Sequence, residues 1–385
     1  MTNHSDSRVA PKPPDHRSVG RSASIGDQDF VLFLGYDDVK AVLRDYRAFT
    51  SATPFRVPIP SEEMLRPTAQ LPIESDPPEH TEYRGLMDRH FSRSAIAARQ
   101  GDTQLIADAL VDAATAEGHC ELVAEFALPL FLRALAMTLG LPQSHVPRWL
   151  TWGIQALASE TTPGRPGNVD MNAYIDEVVD SAMTDPGDDF FGHLARSKFQ
   201  GRGLTRDELR GFGNLAFAGG RQTTVYALTT AIHYLVEHPG DADQLRARPE
   251  DVGRAIEEFL RWATPIVHLG RTVTEEAEIG GVRLGPGELV SLCYASANRD
   301  PSVFEDPDEV HLTRKPNRHV AFGHGPHTCV GAPLARMVLS VGLTRFLART
   351  RSFGLAGKPV EHIEHLAGVD YRVGFDRLEL SLIGA

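Results

Sequence analysis

The sequence predicts a mainly α protein, a single mostly helical domain with small peripheral β-sheets. Three observations carry that prediction. Apolar residues keep helical spacing almost throughout from about 80 to 240. One helix starting near residue 205 is long, and its middle, FGNLAFAGG, is apolar on all sides, so it passes through the interior. Strand-like segments are few and short, at 30–35, 282–292 and 370–383, which suits small peripheral sheets.

The elements follow in order. Residues 1–28 are polar and Pro-rich and read as a flexible tail. FVLFLG (30–35) reads as a strand and YDDVKAVLRDYRAF after it as an amphipathic helix. The Pro-rich stretch 52–78 is a long loop, and loops of that length in compact domains are usually functional. Helices then continue, with breaks at Gly140–Pro142, 161–168 and 185–189. Thr205 and Glu208 form a capping-box pattern that opens the long helix, and His238-Pro239 ends it. At ~1.5 Å per residue its roughly 32 residues span about 48 Å. A helix follows at about 250–262, then VRLGPGELVSL (282–292) alternates about a Gly-Pro-Gly turn and reads as a hairpin. Residues 293–331 are largely irregular, 333–349 form a last helix, and a short strand pair (370–383) closes the chain. No repeat or composition break marks a linker, so 29–385 reads as one domain.

Composition narrows the function. The 385 residues are 42% hydrophobic, enough for a large core, and the net charge of −12 argues against general nucleic-acid binding. Cys120, Cys293 and Cys329 are odd in number and far apart, so they form no disulfide framework and suit a reducing compartment. The N-terminus lacks the apolar core of a signal peptide. No stretch approaches the ~20 apolar residues of a membrane span, so a soluble, cytoplasmic protein without membrane contact is expected.

The segment FGHGPHTCVG (322–331) carries the chemistry. It is a glycine-rich loop that sets a lone cysteine just ahead of a helix, with Pro333 near its first turn. The unpaired N–H groups and positive end of that helix favour a thiolate at Cys329. Gly323, Gly325 and Gly331 let backbone approach a flat ligand closely. Most lone cysteines ahead of helices are buried small hydrophobes, but here Phe322, Gly323, Gly325, His327, Cys329 and Gly331 complete a six-position pattern. That pattern resembles the haem-binding loop of the cytochromes P-450 at every fixed position.

The resemblance covers roughly residues 30–385 and implies the cytochrome P-450 fold, with the long central helix over haem b and Cys329 as the iron ligand. It also implies roles for other residues. Glu258 and Arg261, one helical turn apart, resemble the family's Glu-x-x-Arg, which locks structurally to a later arginine, here Arg314; ANRDPSVFEDPD (297–308) resembles the segment leading there. His80 and Arg84 share a helix face and resemble the family's propionate-binding His-x-x-x-Arg, with Arg271 and His327 as further propionate partners.

AGGRQTT (218–224) puts Gly219 and Gly220 inside the long helix, at ~1 kcal/mol each relative to Ala, a conflict that points to function. In the family the helix opens here for dioxygen. Thr223 matches the threonine that hydrogen-bonds it and helps deliver protons. Gln222 departs from the pattern, since the family has Asp or Glu there, and an amide holds water but exchanges no proton near neutral pH. Three readings follow: water or substrate completes the relay through Thr223, which is preferred; peroxide drives the reaction; or the product forms by coupling or rearrangement without oxygen insertion. A non-enzymatic haem-thiolate sensor is a fourth.

Pocket walls are expected from the 52–75 loop, Phe217, Ala218 and Ile266–Leu269, with Val267 and His268 facing the distal side. His268 either reads a polar substrate group or is a satisfied structural histidine. The apolar lining implies a small or medium hydrophobic substrate. With no flavin or iron–sulfur segment, electrons come from outside. Arg84, Arg89, Arg93 and Arg99 against one Asp88 form a basic face that either docks a small acidic ferredoxin, as in the family, or is merely solvated.

Overall fold

The computed structural model describes residues 21–25, 28–52, 68–154 and 167–385. Most of the loop expected at 52–78 therefore lies outside the described residues, as does the tail up to residue 20.

Four helices form the centre: Gln100–Glu117, Leu128–Leu139, Arg221–Glu237 and Ala332–Arg349 pack on one another. Gly342 marks a close approach, because a Cβ there would lie 3.0 Å from the side chains of Leu130 and Leu228. The main core extends from these helices to Phe190, Phe212, Trp149 and Tyr174.

The largest sheet has five strands in the order Arg21–Ile25, Gln28–Phe33, Leu289–Cys293, His268–Val273 and Phe49–Thr50. Leu289–Cys293 runs parallel to Gln28–Phe33 and antiparallel to His268–Val273. Its alternation sorts side chains by face. Val290 and Leu292 pack with Tyr36 and Val39 of the Tyr36–Arg44 helix, while Cys293 packs with Tyr226 and Val267. The sheet thus couples the first helix to the centre of the molecule.

Several expectations are corrected. The long helix is two helices, Arg206–Ala218 and Arg221–Glu237, separated at Gly219–Gly220. The capping box at Thr205 and Glu208 is formed in full. VRLGPGELVSL is no hairpin. Val282–Leu284 pairs with Ala277–Ile279 across Gly280–Gly281, both at positive φ (58° and 83°). The overlooked signal was that Gly-Gly pair, the stronger two-residue turn, against a Gly-Pro-Gly that only passes the chain into the main sheet. The closing strands do not pair with each other either. Val369–Arg377 pairs with Val360–Leu366 across Ala367–Gly368, and Glu379–Gly384 pairs with Thr350–Leu355 and His119–Glu121. A strand at Arg21–Ile25 also forms within the segment read as tail. Finally, Leu122–Leu139 is long and apolar enough to cross a membrane, contrary to expectation, but 78% of it is buried inside the protein, as in a core helix.

Candidate active site

The cysteine loop is built by backbone. Gly323 and Gly325 have φ of 69° and 71°, and a Cβ on Gly325 would sit 2.5 Å from the Leu43 carbonyl oxygen. These two positions require glycine. Gly331, at φ −78°, does not need it for conformation. Cys329 N–H donates to the Phe322 carbonyl at 2.8 Å and Gly323 N–H to that of Val320 at 2.8 Å, closing the loop ahead of Ala332–Arg349. The Arg336 guanidinium lies 4.4 Å from the Phe322 ring centroid and pairs with Glu257 at 2.7 Å.

Cys329 keeps accessible surface although protein surrounds it, so its thiol faces an interior space rather than bulk water. Burial is the strongest influence on this thiol and raises its pKa; the N–H groups of Gly331 and Ala332 and the cations Arg84 and Arg336 oppose it. The helix-end N–H groups thus favour the thiolate, but do not outweigh burial. Stabilising the thiolate takes a further cation at the sulfur, as a metal supplies.

Around the loop the structure brings together His80, Arg84, Arg271 and His327. His80 and Arg84 lie on the Glu79–Phe91 helix, with His80 2% exposed and its ring 4.3 Å from that of His327. Arg84 Nη1 donates to the Thr328 carbonyl. Arg271 is 5% exposed, and its only side-chain hydrogen bond among the described residues goes to the Gly270 carbonyl. Burial and the neighbouring His327 and Arg84 hold His80 down to about 4, and burial lowers His327 too, so both imidazoles are neutral at pH 7.

The sequence analysis missed Asp76 and Ser51. Ser51 Oγ lies 3.1 Å and Asp76 Oδ1 3.6 Å from His327 Nε2, and Thr50 donates to Asp76. The other His327 nitrogen, Nδ1, is buried with no partner among the described residues. Two arginines, one without a counter-ion, and, in the tautomer whose Nε2 accepts from Ser51 Oγ, a buried His327 Nδ1–H lacking an acceptor among the described residues make a donor set suited to carboxylates. Beside a lone accessible sulfur, this set fits a planar group with two carboxylates and a thiolate-binding metal, which is haem b.

The Glu258 cluster forms as expected. Arg261 pairs bidentately with Glu258 at 2.8 Å, both side chains being fully buried, and Arg314 Nε lies 3.0 Å from both carboxylate oxygens. Asn317 Nδ2 and the His311 N–H also donate to Glu258. The cations on this carboxylate hold its pKa below the ordinary range despite burial. Arg261 further donates to the carbonyls of Asn298, Pro307 and Glu309. Asn298 Oδ1 in turn accepts from Val320 N–H at 2.7 Å, at the entrance to the cysteine loop. The cluster therefore positions the loop without touching it.

At the helix break Gly219 is exposed and Ala218, Gln222 and Thr223 are half-buried, between well-buried turns. Thr223 Oγ1 donates to the Gly219 carbonyl at 3.3 Å. Gly220 faces the other way, since a Cβ there would lie 2.8 Å from the Phe131 ring. Two expected pocket residues are corrected. Phe217 is fully buried among Trp149, Trp152, Tyr174 and Phe191, with ring centroids 5.0 to 6.4 Å away. Val267 is also fully enclosed, packing with Tyr226 and Leu366. Helical and strand register turn both toward core, which their apolar character could not distinguish from pocket. His268 stays half-buried and Nδ1 pairs with Ser291 Oγ at 2.7 Å, which satisfies one ring nitrogen; burial holds its pKa down to about 4.

A mainly α fold, with a broken central helix and a cysteine loop set among carboxylate-binding donors, defines a haem-thiolate protein. The comparisons agree. The sequence profile of the Cytochrome P-450 family matches residues 252–366. Nocardicin C N-oxygenase of Nocardia uniformis subsp. tsuyamanensis is 36% identical over 340 residues, covering 86% of this chain and 85% of that protein. Steroid C26-monooxygenase of Mycolicibacterium smegmatis is 30% identical over 333 residues, covering 84% and 77%. A solved structure described as that of a carbohydrate-active P-450 superposes with a TM-score of 0.90 at 36% identity, covering 97% of this chain and 98% of that one. The chain belongs to the cytochrome P-450 family, and it is an oxidoreductase of the bacterial monooxygenase type whose cofactor is haem b.

Proposed function

We propose that this chain, as one cytoplasmic haem-binding domain over 29–385, inserts one oxygen atom of dioxygen into a small or medium organic substrate, using electrons from a small acidic ferredoxin. The observation that carries this reading is the Cys329 thiol, accessible within the interior beside a carboxylate-binding donor set. Haem b supplies dioxygen binding and O–O cleavage when bound, favoured by donation from a cysteinate. Cys329 holds the metal. Arg84, Arg271 and the neutral N–H groups of His80 and His327 hold the two carboxylates, while Phe322, Gly323 and Gly331 line the loop. Thr223 offers a hydroxyl whose present bond to the Gly219 carbonyl is long enough to exchange for a ligand.

Gln222 supplies an amide where the family has a carboxylate, so protons reach Thr223 Oγ1 through water or a substrate group rather than a titrating side chain. That same residue favours a second reading, peroxide-driven or non-inserting oxidation. The relatives act, by their names, on nocardicin C, a steroid and a carbohydrate, so similarity alone selects neither an apolar nor a polar substrate.

The ferredoxin face is smaller than the arginine count suggested. Arg84 turns inward to Thr328, and Arg99 is bonded to the Met137 and Ala95 carbonyls. Arg89 and Arg93 remain exposed and form no ion pair with a described residue. Arg93 lines a groove of about 530 Å³ with Pro333, Arg336 and Met337, beside the helix that follows Cys329. The test is a reconstituted assay with ferredoxin, its reductase and NADPH, run with Cys329→Ser and with Arg89→Glu/Arg93→Glu. The reading requires that the serine variant lose the parent's reduced carbon-monoxide spectrum and that charge reversal slow haem reduction. An unaltered spectrum in Cys329→Ser overturns it, and unchanged reduction after charge reversal removes the docking site.

A further inference from the structure

One carboxylate has no place in the machinery described so far. Glu364 lies on the Val360–Leu366 strand, in register with Tyr371 of the strand beside it. Alternation along the strand puts it on the face that carries Leu366 into the cluster with Val267, Cys293 and Tyr226. Tyr226 lies three residues after Thr223 on the same helix. Cys293 is the register partner of His268, and its thiol lies 3.9 Å from the Tyr371 hydroxyl. Glu364 acts electrostatically on that thiol. It therefore belongs to the hairpin that packs against the helix bearing Thr223, near the strand pair that carries Cys293 and His268.

The basic groups on its own hairpin are engaged elsewhere. His362 Nδ1 is 3.2 Å from Asp376, Arg372 pairs with Glu361 at 3.0 Å, and Arg377 pairs with Glu379. Arg299, from the segment beyond Cys293, pairs with Asp308 at 3.0 Å. Among the described residues the Glu364 side chain has no hydrogen bond and no ion pair within 4.0 Å, although His362 acts on it electrostatically. It is nevertheless only half-buried and keeps accessible surface, while protein surrounds it closely enough that burial raises its pKa. A carboxylate that is accessible, enclosed and unpaired is an acceptor awaiting a donor.

We propose that Glu364 is a specificity-determining residue, whose carboxylate accepts hydrogen bonds from a hydroxyl or ammonium group of the substrate. The inference rests on the proposed monooxygenase reading and adds a polar end to a substrate otherwise held by apolar walls. It selects for molecules that carry a donor remote from the carbon to be oxidised.

The test uses the haem-loaded full chain, its Glu364→Leu and Glu364→Gln variants, and calorimetric titration with methylcyclohexane, a methyl hexopyranoside and 4-methylcyclohexylammonium. A lost charge-assisted hydrogen bond corresponds to a weakening of about tenfold or more. Glu364→Leu should therefore weaken at least one donor-bearing probe by that factor and leave methylcyclohexane unchanged or tighter. Glu364→Gln keeps an acceptor without the charge. Retained glycoside binding in it assigns a hydroxyl partner, and selective loss of the ammonium probe assigns an amine. Equal weakening of all three probes marks Glu364 as structural and overturns the proposal, as does no change in any. The reduced carbon-monoxide spectrum, recorded on each variant, separates this failure from that of the monooxygenase reading, because only the latter abolishes the parent's spectrum.

Discussion

Arg261→Met removes the guanidinium that ties the Glu258 cluster to the cysteine loop, and its cost can be worked out from the bonds lost. Arg261 makes five side-chain hydrogen bonds: two to the fully buried Glu258 carboxylate and three to the carbonyls of Asn298, Pro307 and Glu309. Breaking a buried ion pair by removing one partner costs about 3–5 kcal/mol. Arg314, Asn317 and the His311 N–H stay on the carboxylate and offset part of this. The Glu309 carbonyl keeps Arg314 Nη2 as a donor, and the two orphaned carbonyls, of Asn298 and Pro307, add roughly 1 kcal/mol each if no water reaches them. A net loss of about 4 kcal/mol is expected, a large share of the roughly 5–15 kcal/mol typical of a folded protein. The assay is urea unfolding followed by far-ultraviolet circular dichroism, with haem retention measured on the same samples. Because Asn298 also holds Val320, haem loss should precede the loss of helix. A destabilisation below about 1 kcal/mol, with normal haem retention, refutes the claim that this cluster positions the loop.

Three further outcomes are expected. Gln222→Glu restores a titratable group beside Thr223 and should raise electron-driven turnover; abolished product formation instead assigns the amide a specific role and counts against simple oxygen insertion. His80, 2% exposed, stays neutral in the folded chain until about pH 4 but takes up a proton near 6.5 when unfolded. Its stabilising contribution is therefore present above pH 6.5 and falls away as pH drops from 6.5 to about 4, by about 3 kcal/mol in full. Melting of the haem-free chain between pH 7 and 4.5 should show this slope, and His80→Phe should flatten it. Phe217→Ala should cost about 3–5 kcal/mol by emptying the aromatic cluster, measured by thermal melting, while leaving ligand-induced haem spectra unchanged; altered spectra return Phe217 to the pocket wall.

What was legible in the sequence follows from what each signal encodes. The cysteine loop could be read because its constraints are local: two glycines at positive φ and a proline in the first helical turn are visible within ten residues. The capping box at Thr205 was legible for the same reason. Glu258, Arg261 and Arg314 could be matched only through the family's pattern, since the contact of Glu258 with Arg314 spans 56 residues. Strand partners were not legible. Leu289–Cys293 alternates as well against one neighbour as another, and its two faces are both buried, so pattern gives no register. Glu364 was missed because a charged residue on a terminal strand reads as solvated surface until the fold encloses it. Phe217 was misplaced because apolar character marks core and pocket alike.

The helix break concentrates its local conflicts in one turn. Gly219 and Gly220 oppose helix, and Arg221 after them is wholly buried, yet remains a cation at neutral pH even though burial pushes it down to about 9. Its Nη1 donates to the carbonyls of Trp149 and Gly153, at 3.3 and 2.9 Å, and its guanidinium lies 5.0 Å from the Trp152 ring centroid. Those carbonyls lie at and just beyond the C-terminal end of the Val146–Thr151 helix, where a cation is favoured by the helix dipole. Nε and Nη2 nevertheless find no partner among the described residues, so the bonds described stabilise the site only in part. Hydrophobic replacement of such a charge is often neutral or favourable, and stability alone therefore does not account for an arginine here. Its distinct effect is geometric. It ties the end of the Val146–Thr151 helix to the residue beside Gln222.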